Sequence, residues 1–574
     1  APAASYNIPL IKIWPKETST QSYTNCSAEL RSAPHYARLA KEMRNHVLGP
    51  MPVRDFMVSF LRYDDLGDDE GFWAGMPDAE HAFKDVPKSP AKEGLMYEPL
   101  AKALNADETT GKVSRCPGFV FGITGNRADT SGPLPNALGS TKPDISAYLQ
   151  EHLEHIRKQA PTDDDASTKT HMGYVALYIE IKRDCSMDCF VDPPANGVPP
   201  QPPRSFINPE CTQHLGQIVN YALEIVKRQH RRHVFSISLC GSKARFIRWD
   251  RAGAIVSRSF DIHDDPDSLC EFLWCFSAIN QTDRGLDCTV QPGTLADAAL
   301  FKQAIEAHLR EQLVELLPGN KDVRGSLKYH LEEHYQENNV TRIPIPDPVH
   351  SDPRCRSQSY LLVSRPITVP HSLVGRGVRT YWAVLVEAAT PEVVLLKDYW
   401  RYEPRDLQLE GDVLEHMARA GFGRDNVPTK KYHGDVPARS CLPFLCLCDN
   451  LLGKQTTVTQ YYKHASWMDA SIVPQKLETM VTMTHYRLIT NEAGYNLMHL
   501  RGSQELLWAG RDALRAITRN FFNPRPEKGQ HPRLHRNVSP GNIMLYRPTP
   551  DSPSNDKGLE IPPRTGYLIN WDLS

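Results

Sequence analysis

Two apolar runs, YVALYIEIK over 174–182 and HVFSISL over 233–239, flank a stretch in which Leu215, Ile218, Val219, Ala222 and Ile225 recur at helical spacing. The order is strand, helix, strand, which predicts an α/β domain ending near residue 290. A helix is expected from about 295 to 317, then a proline-rich connector to about 357. Closely spaced strand candidates follow at 359–397, then a short helix near 405–420, and the pattern turns mostly helical after 500. In that last part Ser503 is the expected N-cap of a helix with Leu507, Leu514, Ile517 and Phe521 along one face. Strands first and helices later suit a two-lobed α+β unit. Polar, proline-bearing stretches at 126–143, 191–205, 341–354, 523–532 and 547–564 are expected loops. Four regions result: a mostly helical 1–125, an α/β domain over 126–290, a helix and connector over 291–357, and the α+β unit over 358–574.

A chain of 574 residues exceeds one hydrophobic core. Its net charge of -2 gives no general pull toward nucleic acid or anionic lipid, so any nucleic-acid site is expected to be local. No stretch reaches the roughly 18 apolar residues of a membrane span, and residues 1–20 lack a basic segment followed by an apolar run; an intracellular protein of cytoplasm or nucleus, away from membranes, is expected. Thirteen cysteines without a secretory signal imply reduced thiols. Neither Cys185/Cys189 nor Cys441/Cys446/Cys448 forms the paired knuckles of a zinc site. The Trp249-Asp250-Arg251 string before Gly253 is expected to be a tight turn between strands.

The most specific string is LHRNVSPGNIML, 534–545. It keeps the spacing of the catalytic-loop pattern H-R-D-x-x-x-x-N, with His535, Arg536 and Asn542 in place and Asn537 where the aspartate belongs. Upstream, Gly375 and Gly377 form a G-x-G turn before a strand, and the next strand candidate carries Lys397. Glu410, in LEGDVLEHM with a packing stripe of Val413, Leu414 and Met417, is the expected partner of that lysine; Glu415 competes but neighbours Leu414 and is expected to face solvent. Near the chain's end, GYLINWDLS places Asn570 after an apolar strand, where a D-F-G pattern has its metal-binding aspartate.

These strings, SLVGRG, VLLKDYW, HYRLIT, HRNVSPGNI and LINWDL, with RRHVF and IRWDRAGAIVS before them, resemble the fungal-type protein kinase family from about residue 140 onward. The resemblance implies ATP-dependent, Mg²⁺-assisted phosphoryl transfer to serine or threonine of a protein substrate. It implies roles for Gly375, Gly377 and Lys397 at the phosphates, for Glu410 as the lysine's partner, for Asn537 at the catalytic position, and for Asn542 and Asn570 at the metal. An amide supplies only a neutral carbonyl oxygen where a carboxylate supplies charge and takes a proton, so weak or absent turnover is expected. Asp572, two residues beyond Asn570, is the candidate replacement ligand. The family's activation segment is expected after Ser574, so the later lobe reads as incomplete. A nucleotide-binding pseudokinase or scaffold is the alternative.

A second resemblance lies earlier. Lys142-Pro143-Asp144-Ile145, then Glu180 and Lys182 two residues apart on one strand face, then Gln217 with Tyr221 on a helix, resemble the PD-(D/E)xK restriction-nuclease pattern. It implies a magnesium ion held by Asp144 and Glu180 beside Lys182, and offers a magnesium-dependent nuclease as a further alternative. The expected architecture is thus a two-lobed, protein-kinase-like α+β unit behind an α/β restriction-nuclease-like domain.

Overall fold

The computed structural model of the chain describes residues 32–67, 70–107, 109–129, 141–158, 170–193, 206–313, 323–345, 359–386, 391–403, 408–419, 426–438, 453–468, 480–522, 532–548 and 563–571. The run at 174–182 becomes a strand in which every residue from Val175 to Lys182 is buried, because it lies mid-sheet with helices over both faces. The elements of this first module are α1 (Ser32–Met43), β1 (Val47–Met51), α2 (Val53–Leu61), α3 (Tyr63–Gly67), α4 (Glu70–Ala74), α5 (Tyr97–Leu104), β2 (Phe119–Ile123), β3 (Ile145–Leu149), α6 (Leu153–Lys158), β4 (Val175–Lys182), α7 (Thr212–Arg228), β5 (Val234–Cys240), β6 (Lys243–Trp249), β7 (Ala254–Ser257), β8 (Phe260–Asp261) and α8 (Pro266–Ala278). The sheet order is β1-β7-β6-β5-β4-β3-β2, with β8 beside β6; β4 with β5 and β1 with β7 are parallel, the other pairs antiparallel. One face packs a phenylalanine-rich core under α2, α5 and α8, and the other packs under α1 and α7. Gly216 of α7 lets α1 approach closely, since a Cβ there would lie 2.1 Å from the Tyr36 carbonyl oxygen.

The described residues of the expected helical region 1–125 are therefore not separate from this domain: β1 and β2 belong to its sheet. Each has five residues with a glycine inside, VLGPM and FVFGI, too short to show a period.

The second module holds β9 (Gln291–Pro292), α9 (Leu295–Gln312), α10 (Val323–His334), β10 (Thr341–Pro344), β11 (Tyr360–Val363), β12 (Arg379–Val386), β13 (Glu392–Tyr402), α11 (Glu410–Met417), β14 (Lys430–Asp435) and β15 (Met483–Thr490). Its antiparallel sheet runs β14-β15-β13-β12-β11-β10-β9. The expected connector is thus partly sheet, and Phe301, Ile305 and Leu309 of α9 share a core with Leu362, Trp382 and Val384. A capping box between Thr294 and Asp297 starts α9.

The third part is a small sheet of β16 (Tyr495–Asn496), β17 (Ile543–Tyr546) and β18 (Thr565–Leu568) against α12 (Ser503–Phe521). Here the expected helix face is right only in part, since Ile517 packs against the core but the leucines do not. Leu507 and Leu514 are 71% and 64% exposed, while Ala509, Ala513 and Ala516 are buried. The reason is steric: Gly566 of β18 comes so close that a Cβ on it would lie 2.8 Å from the Ala509 Cα, so only small residues fit beneath. Ser503 does not cap the helix either; the cap position is Gly502, and Glu505 accepts the Arg501 amide at 2.7 Å. Among the described residues no helix is long and apolar enough to cross a membrane.

Candidate functional site

Alternation along β13 sends its side chains two ways. Lys397 and Tyr399 point to the α11 side, and Asp398 to the first module. The Lys397 Nζ donates to Glu410 Oε2 at 2.6 Å, lies 4.6 Å from the centre of the Tyr399 ring, and Tyr399 donates its hydroxyl to the same oxygen at 3.1 Å. The other oxygen, Oε1, accepts the backbone N–H of Trp571 at 3.2 Å, so one buried carboxylate ties strand, helix and chain end together. Glu410 opens α11 and its acidic side chain suits the positive end of that helix. Glu415 instead pairs with Lys430 at 3.2 Å and Arg419 at 2.5 Å.

On the opposite face Asp398 takes Arg379 at 2.6 Å, His485 at 2.6 Å and Arg487 at 3.2 Å, and Arg487 reaches on to Asp287 at 2.7 Å. Burial pushes the Asp398 carboxyl up, but these three partners outweigh it and hold it well below the usual carboxylate range. This network joins the two modules through fully buried charge.

The late segment forms the floor. His535 is completely buried; its Nε2 bonds the Ile569 carbonyl at 2.7 Å and its ring meets Trp571 edge-on at 4.8 Å. Asn542 donates its amide to the Asn537 carbonyl at 2.7 Å, and Asn570 donates to Asn542 Oδ1 at 2.5 Å. Arg536 and Asn570 hold φ of 61° and 68°, in the left-handed region that non-glycine residues rarely occupy, while Asn426, at 66°, accepts the Leu568 amide at 2.8 Å. Between floor and β13 lies a cleft of about 380 Å³, open solvent included, lined by Lys397, Glu410 and Asn570 with Leu395, Leu414 and Leu488.

Lys397, Glu410 and Asn570 thus meet at one cleft, and Asn542 and Asn537 adjoin it through Asn570. Asp572 and Cys441, Cys446 and Cys448 fall outside the described residues. Cys185 and Cys189 are free thiols, exposed and buried. Gly375 and Gly377 do not line the cleft. Both have positive φ, and they lie against Arg251: the Gly375 amide donates to the Arg251 carbonyl at 2.9 Å, and a Cβ on Gly377 would lie 2.2 Å from the guanidinium carbon. The Asp250–Gly253 turn is a hairpin end, with the Asp250 amide on the Gly253 carbonyl at 2.8 Å. It is also a contact between modules, where Asp250 Oδ2 accepts the amides of Val458 and Thr459 at 2.8 and 3.0 Å. Sequence reasoning missed Tyr399, although a residue two positions past Lys397 on a strand shares its face.

The Lys397 ammonium, midway along β13, presents a point charge beside the apolar walls of the cleft. A divalent cation fits poorly. Among the described lining residues the one carboxylate is Glu410, whose two oxygens already carry three donors, and the side-chain oxygen of neighbouring Asn542 already accepts the Asn570 amide.

The other predicted cluster also assembles. Lys182 Nζ donates to Glu180 Oε1 at 2.6 Å; Asp144 accepts the Tyr97 hydroxyl at 2.5 Å and the Ile181 amide at 2.8 Å; Gln217 donates to Tyr221, which donates to the Lys142 carbonyl at 3.0 Å. Glu180 Oε2 has no hydrogen-bond partner among the described residues. Burial and the neighbouring Asp144 raise the Glu180 pKa well above normal, and burial raises that of Asp144.

The sequence model described as fungal protein kinase matches residues 204–574, from just before α7 through the second module and the floor of the cleft. Comparison with curated proteins and with solved structures returns no match for this chain.

Proposed function

The chain belongs to the fungal protein kinase family, and from that premise we propose that it binds ATP in the cleft beside Lys397 and transfers phosphate to protein serine or threonine slowly or not at all. The observation that carries this reading is the double role of Glu410, which fixes Lys397 for a phosphate while no described carboxylate remains for magnesium. Lys397 would bind phosphate as a point charge, and Leu395, Leu414 and Leu488 would exclude water around the base. Asn537 takes no proton, and its backbone carbonyl is committed to Asn542. Calorimetric titration with ATP, with and without Mg²⁺, tests the reading. Binding of similar strength in both conditions is expected, and it should vanish in Lys397→Ala. Radiolabelled transfer to a generic protein should be near background and should rise about 10²-fold or more in Asn537→Asp/Asn570→Asp, since a base or metal ligand commonly contributes that much. A chain that binds no ATP in either condition sinks the reading.

A second reading, a magnesium-dependent nuclease in the first module, is favoured by one observation: the unpartnered Glu180 Oε2 beside Asp144 and Lys182. Against it, both Asp144 oxygens and the Lys182 ammonium already have partners. Plasmid cleavage lost in Glu180→Ala would support it, and cleavage surviving that change would dismiss it.

A further inference from the structure

We propose that Arg251, on the turn between β6 and β7 of the first module, is a positioning residue that holds the glycine segment 371–377 and so sets how the phosphate end of the cleft is formed; the proposal rests on the nucleotide reading above. Arg251 is 6% exposed and grips one stretch of backbone from both of its ends. Its guanidinium Nη1 donates to the carbonyls of Ser372 and Leu373 at 3.0 and 3.1 Å, and its own carbonyl accepts the Gly375 amide at 2.9 Å. Leu373 and Val374 are buried in the core that α1 and α7 form on the first sheet, so this part of the second module's chain is packed as first-module interior. Gly377, at φ 53°, leaves the space the guanidinium fills. A planar group with several fixed donors can hold two carbonyls at once, which a lysine ammonium on a flexible stem does less well.

The grip is passed on to the cleft by direct contacts. The carbonyl of Arg376, between the two glycines, accepts the Trp400 amide on β13 at 2.7 Å, and the Arg376 guanidinium lies 4.7 Å from the centre of the Tyr399 ring. Tyr399 in turn holds Glu410, the partner of Lys397. Each step joins a hydrogen-bonded or stacked neighbour to the next, so the turn, the glycines and the lysine–glutamate pair form one continuous path.

A positioning role and a merely structural one differ in what they do to the phosphates. Affinities for ATP and for adenosine are measured calorimetrically in the wild type, Arg251→Ala and Arg251→Lys, together with hydrogen exchange of the Gly375 amide. Arg251→Ala should bind ATP about tenfold more weakly, as expected for a coupled residue outside the site, should bind adenosine as the wild type does, and should exchange Gly375 faster. Arg251→Lys should recover part of the ATP affinity. Should Arg251→Ala fail to fold, Gly377→Ala displaces the guanidinium instead and should give the same selective loss. Wild-type binding with an ATP loss no greater than the adenosine loss overturns this proposal alone; a wild type that binds neither ligand overturns the nucleotide reading and this proposal with it.

Discussion

Two of the lysine–glutamate pairs that close at 2.6 Å among the described residues, Lys182 with Glu180 and Lys397 with Glu410, are given opposite characters by their surroundings. The first lies within one strand, two residues apart, with a second carboxylate, Asp144, alongside and one glutamate oxygen unpartnered. The second joins a strand to a helix beside a cleft, and both glutamate oxygens have donors. In the first pair the lysine relieves crowded negative charge. In the second the glutamate restrains a lysine that faces open space. A short ion-pair distance is common to both; the third group and the adjoining space decide what the pair can do.

The largest test removes each lysine. Lys182→Met leaves two buried carboxylates without their cation and should cost about 3–5 kcal/mol in urea unfolding. Lys397→Met leaves Glu410 with the Tyr399 hydroxyl, the Trp571 amide and solvent in the cleft, so the loss should be nearer 1–3 kcal/mol while ATP binding disappears. Equal losses would erase the distinction.

A pH series of thermal melts sharpens it. Glu180 has a raised folded pKa, so its contribution is fully present below the ordinary value of 4.5 and is lost as pH rises through the raised one. His230, at the module interface, runs the other way: burial and the Arg379 charge lower it from 6.5 to about 3, so its contribution is present above 6.5 and drains away as pH falls toward 3. Glu180→Gln should flatten the decline with rising pH, and His230→Asn the decline on acidification. A Glu180→Gln profile matching the wild type would place the titrating group elsewhere.

The smallest expected effect is on α12. Leu507→Gln should change stability by less than about 0.5 kcal/mol, because the side chain faces outward. Ala513→Leu, beneath β18, should cost about 1–3 kcal/mol through overpacking.

How far the sequence could be read follows from how locally each feature is encoded. The β4–α7–β5 unit was visible because its eight-residue buried run and 17-residue helix each carry their own period. Glu410 was separable from Glu415 because helical phase distinguishes a residue under the sheet from one beside Leu414. The leucine part of the α12 face was misread because hydrophobicity favours leucine while the neighbour's shape demands alanine, and nothing near Ala509 announces Gly566. The module interface was illegible for another reason: Asp287 and Arg487 are 200 residues apart, and buried charges look like surface charges in a string of letters. The glycines were read as phosphate-facing from a motif, but the contact with Arg251 lies outside that motif.

The buried ion network between the sheets has an evolutionary consequence. A lineage that shuffled the second module onto another leader sequence would inherit Asp398, Arg379 and Arg487 with their companion Asp287 missing, and the newly bared charges would demand several compensating changes at once. Parting the two sheets would therefore bare uncompensated charge on both sides at once.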